Sequence, residues 1–467
     1  MTDPDRAPVR DVDDHELLGQ AVWIIEGDAG RRGRRQAWYA AYVAVIGMLA
    51  YGFPIAQTAF HTTDPRWLRG QLTSPLALLG LAVSLLAILW GAYSAGAFRG
   101  PVVPPLPWID HVVSTPIDRA VSVRRWWRLS RGGTVFAGAL LGATLGSGLA
   151  FAGVAPWPTV APATVSGALI GWLASVLWLW GQVRSWPGAW PGTRPGVRST
   201  AMLRALHAQS LRIHAANTST IGGSVLAGNL RTARLQLARP VRHGRHVRLR
   251  ASGPRTIIVR RDVLGLRRQP ANLWSGLLLL LLGASVIVWT LTHPAAPVLA
   301  VALGLAPAYL GFGSWAEGLR SQADNVGTPS LLGTTPRAEA VAHLVVPTTL
   351  TLTAMGAGLL VAAALSQVTP SAVVVALALT LVLCGGHVLA AFRGNPPQSS
   401  LTPVSGPMLL VLWYVRPLLV VLIAGTLGAY LVERLGSAGL GWDLALGYAV
   451  VLWGLSRMQR LSEEHRV

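Results

Sequence analysis

Apolar residues in this chain come in long runs and seldom alternate with polar ones. Ten stretches nearly free of charge lie at about 37–60, 75–98, 133–154, 160–183, 273–291, 295–316, 344–366, 371–392, 410–432 and 440–457. Between them, arginine, proline and glycine concentrate. A helix needs about 20 apolar residues to cross the hydrocarbon core of a bilayer, and every stretch reaches or approaches that length. The last, 440–457, is the weakest. The six consecutive leucines from Leu277 to Leu282 lack the two-residue period of a barrel strand. In lipid each backbone donor and acceptor must be satisfied within the segment, which a helix does unaided. The pattern predicts an all-α, polytopic membrane protein of about ten transmembrane helices.

Arginine placement gives the topology. Cytoplasmic loops are enriched in Lys and Arg. Arg31, Arg32, Arg34 and Arg35 precede the first span. Arg99, Arg119, Arg124, Arg125, Arg128 and Arg131 follow the second. Residues 184–272 hold 17 Arg against one acid, Asp262. The alternate loops carry only Arg66 and Arg69, none after spans 3, 5 and 7, and Arg434. Both termini are expected in the cytoplasm. The organisation that follows is a cytoplasmic segment 1–36 with an interfacial helix, four spans over 37–183, an Arg-rich cytoplasmic segment 184–272, six spans over 273–457, and a tail 458–467.

Composition narrows the chemistry. All 39 basic residues are Arg, with no Lys. A P-loop and Schiff-base chemistry both require Lys, so neither is open to this chain. Cys384 is alone and lies in an apolar stretch, which excludes a disulfide or a thiolate metal cluster. The acidic start, Met1 to Glu16, predicts no signal peptide. No cofactor or catalytic motif is expected; Asp110 and Asp118, in one loop, read as solvated or salt-bridged. The net charge of +20 resides mostly in 184–272. That segment lacks interleaved aromatics and any nucleic-acid reader motif, so the expected partner is anionic lipid and not nucleic acid. His207 and His214, seven apart with no carboxylate nearby, make a poor metal site.

Within 184–272, residues 197–216 read as one helix with Leu203, Leu206, Ser210 and Ile213 on a stripe. Residues 256–268, with Arg261, Asp262, Arg267 and Arg268, read as an interfacial helix before span 5. Leu17, Leu18, Ala21, Val22 and Ile25 suggest a similar element before span 1. Gly138, Gly142 and Gly146 in span 3 let another helix approach closely. A partner span of the same chain is favoured; the alternative is a seam between two copies, a homodimer. The span interiors offer few ionisable groups: His387, Arg416 near the start of span 9, and none in the centres of spans 1 to 7. That scarcity argues against an ion-coupled carrier.

The inner loops resemble one another. Arg99-Gly100-Pro101 is followed by Thr115-Pro116-Ile117-Asp118-Arg119. Arg320 is followed by Thr335-Pro336-Arg337-Ala338-Glu339, and Arg393-Gly394 by Thr402-Pro403. Thr suits a helix cap and Pro its first turn. Each loop either holds a short surface helix or is a capped lead-in to the next span.

The run from Arg99-Gly100-Pro101-Val102 to Trp108, with Ser114-Thr115-Pro116-Ile117-Asp118-Arg119, resembles the actinobacterial membrane subunits of ABC exporters. So do Arg261-Asp262-Val263-Leu264-Gly265-Leu266-Arg267-Arg268-Gln269-Pro270 and Trp413-Tyr414-Val415-Arg416-Pro417. The resemblance implies a permease subunit in a bacterial plasma membrane, energised by a separate cytoplasmic ABC ATPase. The loops around Thr115, Pro116, Asp118 and Arg119, and around Thr335, Pro336, Arg337 and Glu339, are the expected contacts with that ATPase. The alternative is a non-transporting membrane scaffold or immunity protein.

Overall fold

The computed structural model describes residues 14–26, 39, 41–43, 45–54, 57, 65–97, 99–185, 198–226, 247, 249–250, 253–293, 296–328, 330, 332–365, 368–394, 396 and 406–464. Among these there is no strand. In chain order the helices are α1 (Asp14–Glu26), α2 (Pro65–Leu72), α3 (Pro75–Gly96), α4 (Arg124–Phe151), α5 (Val160–Arg184), α6 (Ser199–Arg204), α7 (Ala208–Leu226), α8 (Pro254–Arg268) and α9 (Pro270–Thr292). They continue as α10 (Ala300–Trp315), α11 (Glu317–Asp324), α12 (Pro336–Leu365), α13 (Pro370–Ala391), α14 (Gly406–Leu435) and α15 (Ser437–Glu464). Short helical turns occupy Leu106–Trp108, Ile109–Val113 and Arg119–Ser122.

Seven helices are long and apolar enough to cross a membrane: Arg124–Phe151, Trp157–Arg184, Asn272–Thr292, Pro336–Ala364, Pro370–Ala391, Leu409–Leu435 and Ser437–Glu464. The chain is a helical membrane protein by that measure. The Ser84–Gly96 part of α3 and α10 are shorter, and the stretch 37–60 falls partly outside the described residues. The stretch read as weakest is a continuous helix of 28 residues, because helical, mainly polar residues continue it past the apolar run to Glu464.

The described chain forms two compact units, residues 1–74 with 84–223, and residues 75–83 with 224–467. In the first, α4 and α5 pack backbone to backbone. A Cβ added at Gly138 would meet the carbonyl of Gly167, one at Gly142 the carbonyl of Ala163, and one at Gly146 the Ala163 Cβ at 2.9 Å. The Gly138, Gly142, Gly146 stripe therefore faces a helix of its own chain. Its counterpart is a second small-residue stripe at the same spacing, Ala163, Gly167 and Gly171, which the sequence reading passed over.

The second unit repeats this device. A Cβ added at Gly283 would overlap the Gly304 carbonyl, and one at Gly311 would lie 2.7 Å from that of Gly276, so α9 closes onto α10. A Cβ added at Gly454 would lie 2.9 Å from the Val388 Cβ, so α15 closes onto α13. Helix α13 is the centre of this unit: Val375, Leu379, Val382, Leu383 and Val388 are all buried. The turn from α14 to α15 passes through Gly436, whose φ of 57° favours a residue without a Cβ. Pro307 lies inside α10 and does not end it.

Candidate functional site

In the first unit the inner loop 99–123 folds onto the end of α5. Gln182 is fully buried and imitates a backbone strand: its Nε2 donates to the Val102 carbonyl at 2.7 Å, and its Oε1 accepts from the Val102 amide at 3.2 Å. Gly100 lies against the Gln182 side chain so closely that a Cβ would overlap it. Trp178 Nε1 donates to the Arg99 carbonyl at 2.7 Å, and Ser130 Oγ to that of Pro101 at 2.6 Å. Trp108, Ile109, Val112, Val123 and Trp127 then form an apolar core with Leu203, Leu206 and Leu211 of the Arg-rich segment.

That segment is not one helix over 197–216. It breaks at Ala205-Leu206-His207, where His207 Nδ1 accepts from the Gln209 amide at 3.3 Å and so caps α7. The break lets Leu203, Leu206 and Leu211 all reach the core, while Ile213 stays 46% exposed. His214 is buried, so the two histidines do not share a surface. No group of three or more His, Cys, Asp or Glu side chains able to hold a metal occurs among the described residues.

Charged groups fasten the segment to the loop. Arg204 donates from Nε (3.0 Å) and Nη2 (2.8 Å) to Asp118 Oδ2. Arg119 Nη1 donates to the Leu206 carbonyl at 2.7 Å, and Arg212 Nε to Asp110 Oδ1 at 2.6 Å. Asp118 also accepts from the Ala120 amide at 3.0 Å, capping the turn Arg119–Ser122. The Arg204 guanidinium, aided by that amide, holds the Asp118 carboxyl below the usual carboxylate range. The cap here is Asp118, not Thr115; Thr115 Oγ1 donates to the Val112 carbonyl at 2.6 Å. Thr115 and Pro116 are exposed, whereas Asp118 and Arg119 bind within their own unit.

The second unit gathers more of the sequence-identified residues in one place. Asp262 of α8 and His343 of α12 are buried, with Nδ1 to Oδ2 at 2.6 Å. Arg261 Nη2 lies 3.0 Å from His343 Nε2. Arginine has no acceptor, so Nε2 must accept and the imidazole proton must sit on Nδ1, donated to Asp262. Glu339 Oε1, one turn before, is 4.0 Å from Nε2. Helix α11 seals the cluster through Gly318, where a Cβ would fall on Asp262 and His343. The pair has the acid–imidazole half of a catalytic triad, but Arg261 occupies the nitrogen to which a nucleophile would hydrogen-bond.

Beside this cluster, α8 and α12 border a groove of about 510 Å³, with Arg255, Thr256, Thr335 and Arg337 at its polar end and Val341 and Val345 along its wall. Neither Arg255 nor Arg337 has an ion-pair partner among the described residues. Here Thr335 does cap: its Oγ1 accepts from the Ala338 amide at 3.3 Å, and Pro336 opens α12. Thr402-Pro403 lies outside the described residues. Arg267 and Arg268 lie at the far end of α8; Arg268 donates to the Val247 carbonyl at 3.3 Å.

Two further polar groups lie in membrane-length helices. His387 stacks between Tyr309 (4.2 Å) and Phe312 (4.8 Å), and its Nε2 donates to the Tyr309 carbonyl at 2.9 Å. It is a satisfied packing residue. Asp443 of α15 is fully buried, with neither oxygen hydrogen-bonded to any described residue. The sequence reading passed over it, because it lies near the edge of the weakest apolar stretch. The scarcity of ionisable groups in the spans is thus less complete than the apolar pattern suggests.

No family model matches the chain, and comparison with curated proteins and with solved structures likewise gives no match.

Proposed function

We propose that the chain is the membrane-spanning permease subunit of an ABC-type exporter, energised by a separate cytoplasmic ATPase. It lies in a bacterial plasma membrane with ten spans, four in 37–183 and six in 273–457, and both termini in the cytoplasm. The alternation of Arg-rich and Arg-poor loops supports the orientation. The Arg-rich face lies against anionic lipid.

The observation that carries the reading is the tie between α8 and α12. A surface helix that only rests on lipid has no need of a buried contact to a span. Here Asp262, His343 and Arg261 join the two by short hydrogen bonds, so a displacement of α8 is passed to α12. The groove alongside offers Arg255 and Arg337, without an ion-pair partner among the described residues, to an acidic partner side chain, and an apolar wall to its helix. In the first unit the positions open to such a partner are Thr115 and Pro116, since Asp118 and Arg119 bind internally.

A single cysteine at position 255 or 337, with Cys384 replaced by Ser, tests the reading by cross-linking in native membranes. Capture of an ABC ATPase whose hydrolysis is stimulated by the purified chain is the expected result. Recovery of no ATPase from either position, with the chain folded and inserted, overturns it and leaves the non-transporting scaffold.

A further inference from the structure

Asp443 sits in the second turn of α15, on the seam with α14. A Cβ added at Gly439, one turn earlier, would overlap the backbone of Leu431, and one added at Gly447, one turn later, would lie 2.9 Å from the Ala378 carbonyl oxygen of α13. Asp443 itself points at Gly428 of α14, where a Cβ would overlap its carboxylate. The carboxyl occupies the space that this glycine leaves. Its exposure is 0%, and neither oxygen has a donor among the described residues.

An ionised carboxylate without water or a donor is costly to bury. As mere filler the group is poorly chosen, since an apolar side chain of that size would pack there without the polar cost. Ionisable groups inside membrane helices commonly mark proton relays. No described charged group neutralises it. On α14 the nearest are Glu433 and Arg434, at the exposed end of the helix, and Arg434 stacks on Tyr430 at 5.4 Å. On α13 the titratable groups are Cys384 and His387, which lie roughly 15–20 Å further along the axis at 1.5 Å per residue. On α12, Arg337, Glu339 and His343 are confined to its first eight residues.

We propose that Asp443 is a proton-binding site. The carboxylate takes one proton from water to become the acid, and returns it when α14 and α15 part at Gly428. A proton needs one oxygen; a metal ion needs several, and no second side-chain oxygen is bonded here. The inference does not rest on the ATPase-driven reading and stands if no ATPase partners the chain.

The full chain in lipid nanodiscs is treated with dicyclohexylcarbodiimide, which modifies protonated carboxyls in apolar surroundings, and the adduct is mapped by mass spectrometry. Asp443 is expected to be labelled at low pH, with yield falling about tenfold for each pH unit above the midpoint of a single site. Infrared difference spectra between low and high pH should show the carbonyl stretch of one carboxylic acid, lost in Asp443→Asn. Gly428→Ala, which keeps the carboxyl but crowds it, should move the midpoint. No adduct at any pH, a yield independent of pH, or an infrared band that survives Asp443→Asn would each overturn the proposal, and the first two need no variant.

Discussion

The Asp262–His343 contact can be weighed by removing its members one at a time. His343→Ala leaves the buried Asp262 carboxylate with only Arg261 Nε at 3.9 Å, and stranding a buried charge costs about 3–5 kcal/mol. Asp262→Ala removes the acceptor of a buried N–H and should cost about 1–3 kcal/mol. The double variant strands neither group, so its cost should fall at least about 2 kcal/mol short of the sum of the two single costs. The pair should then show a coupling of about 2 kcal/mol, within the range seen for directly bonded residues. Arg255→Ala, at an exposed position nearby, should change stability by no more than about 0.5 kcal/mol. Reversible unfolding in mixed detergent micelles measures all four. If the two single changes add, or His343→Ala costs no more than Arg255→Ala, then α8 is not fastened to α12 through this pair, and the transmission of movement between them loses its basis.

Three other outcomes follow from the packing. Gly138→Leu should destabilise the α4–α5 hairpin by about 1–3 kcal/mol because the opposing carbonyl of Gly167 cannot retreat, whereas Gly132→Ala, with open space around it, should be neutral or stabilising by up to about 1 kcal/mol in detergent melting. Gln182→Leu strands the buried amide and carbonyl of Val102 and should cost about 2–4 kcal/mol, with proteolysis appearing within 99–123. The pKa of Asp118 is depressed on folding, so its pairing with Arg204 contributes fully above the unfolded value near 3.8 and is lost as pH falls through the lower folded value. The stability difference between the unaltered chain and Asp118→Asn should be unchanged between pH 5 and pH 8 and shrink only in stronger acid; a loss near pH 6 would contradict the assignment.

The existence of helices was legible because lipid leaves the backbone few choices, and an apolar run of span length declares itself without neighbours. Ends and breaks were not, since they depend on distant partners. Residues 197–216 carry an unbroken helical stripe, yet the chain breaks where His207 caps α7 and Leu206 offers its carbonyl to Arg119. Thr115-Pro116 and Thr335-Pro336 look alike in sequence, but only Thr335 caps, because Asp118 is the better acceptor at the first site. Arg261, Asp262 and Glu339 were singled out separately, one pair for an interfacial helix and the other for an inner loop. His343, which joins them, was not; the available signal was a lone imidazole four residues after Glu339 on the same helix face. Asp443 gave an equally brief signal, one acid in an apolar run, and only burial without a partner among the described residues makes it significant.

The two units use the same chemistry with different strength. In each, an acid and a basic group join the Arg-rich segment to another part of the unit: Asp118 of the inner loop with Arg204 of the segment, and Asp262 of the segment with His343 of α12, Arg261 beside it. The Arg204 side chain is 65% exposed and its partner 27%, so water and salt screen the pair. The His343 side chain is fully buried and Asp262 nearly so, which makes that contact expensive to break. The first ion pair can therefore open and close while the apolar contacts of Leu203 and Leu206 still hold α6 to the loop. A partner pressing on the second unit would move α8 and α12 together. If a cytoplasmic motor drives the chain, as we propose, the α8–α12 joint is where its movement would enter the membrane helices.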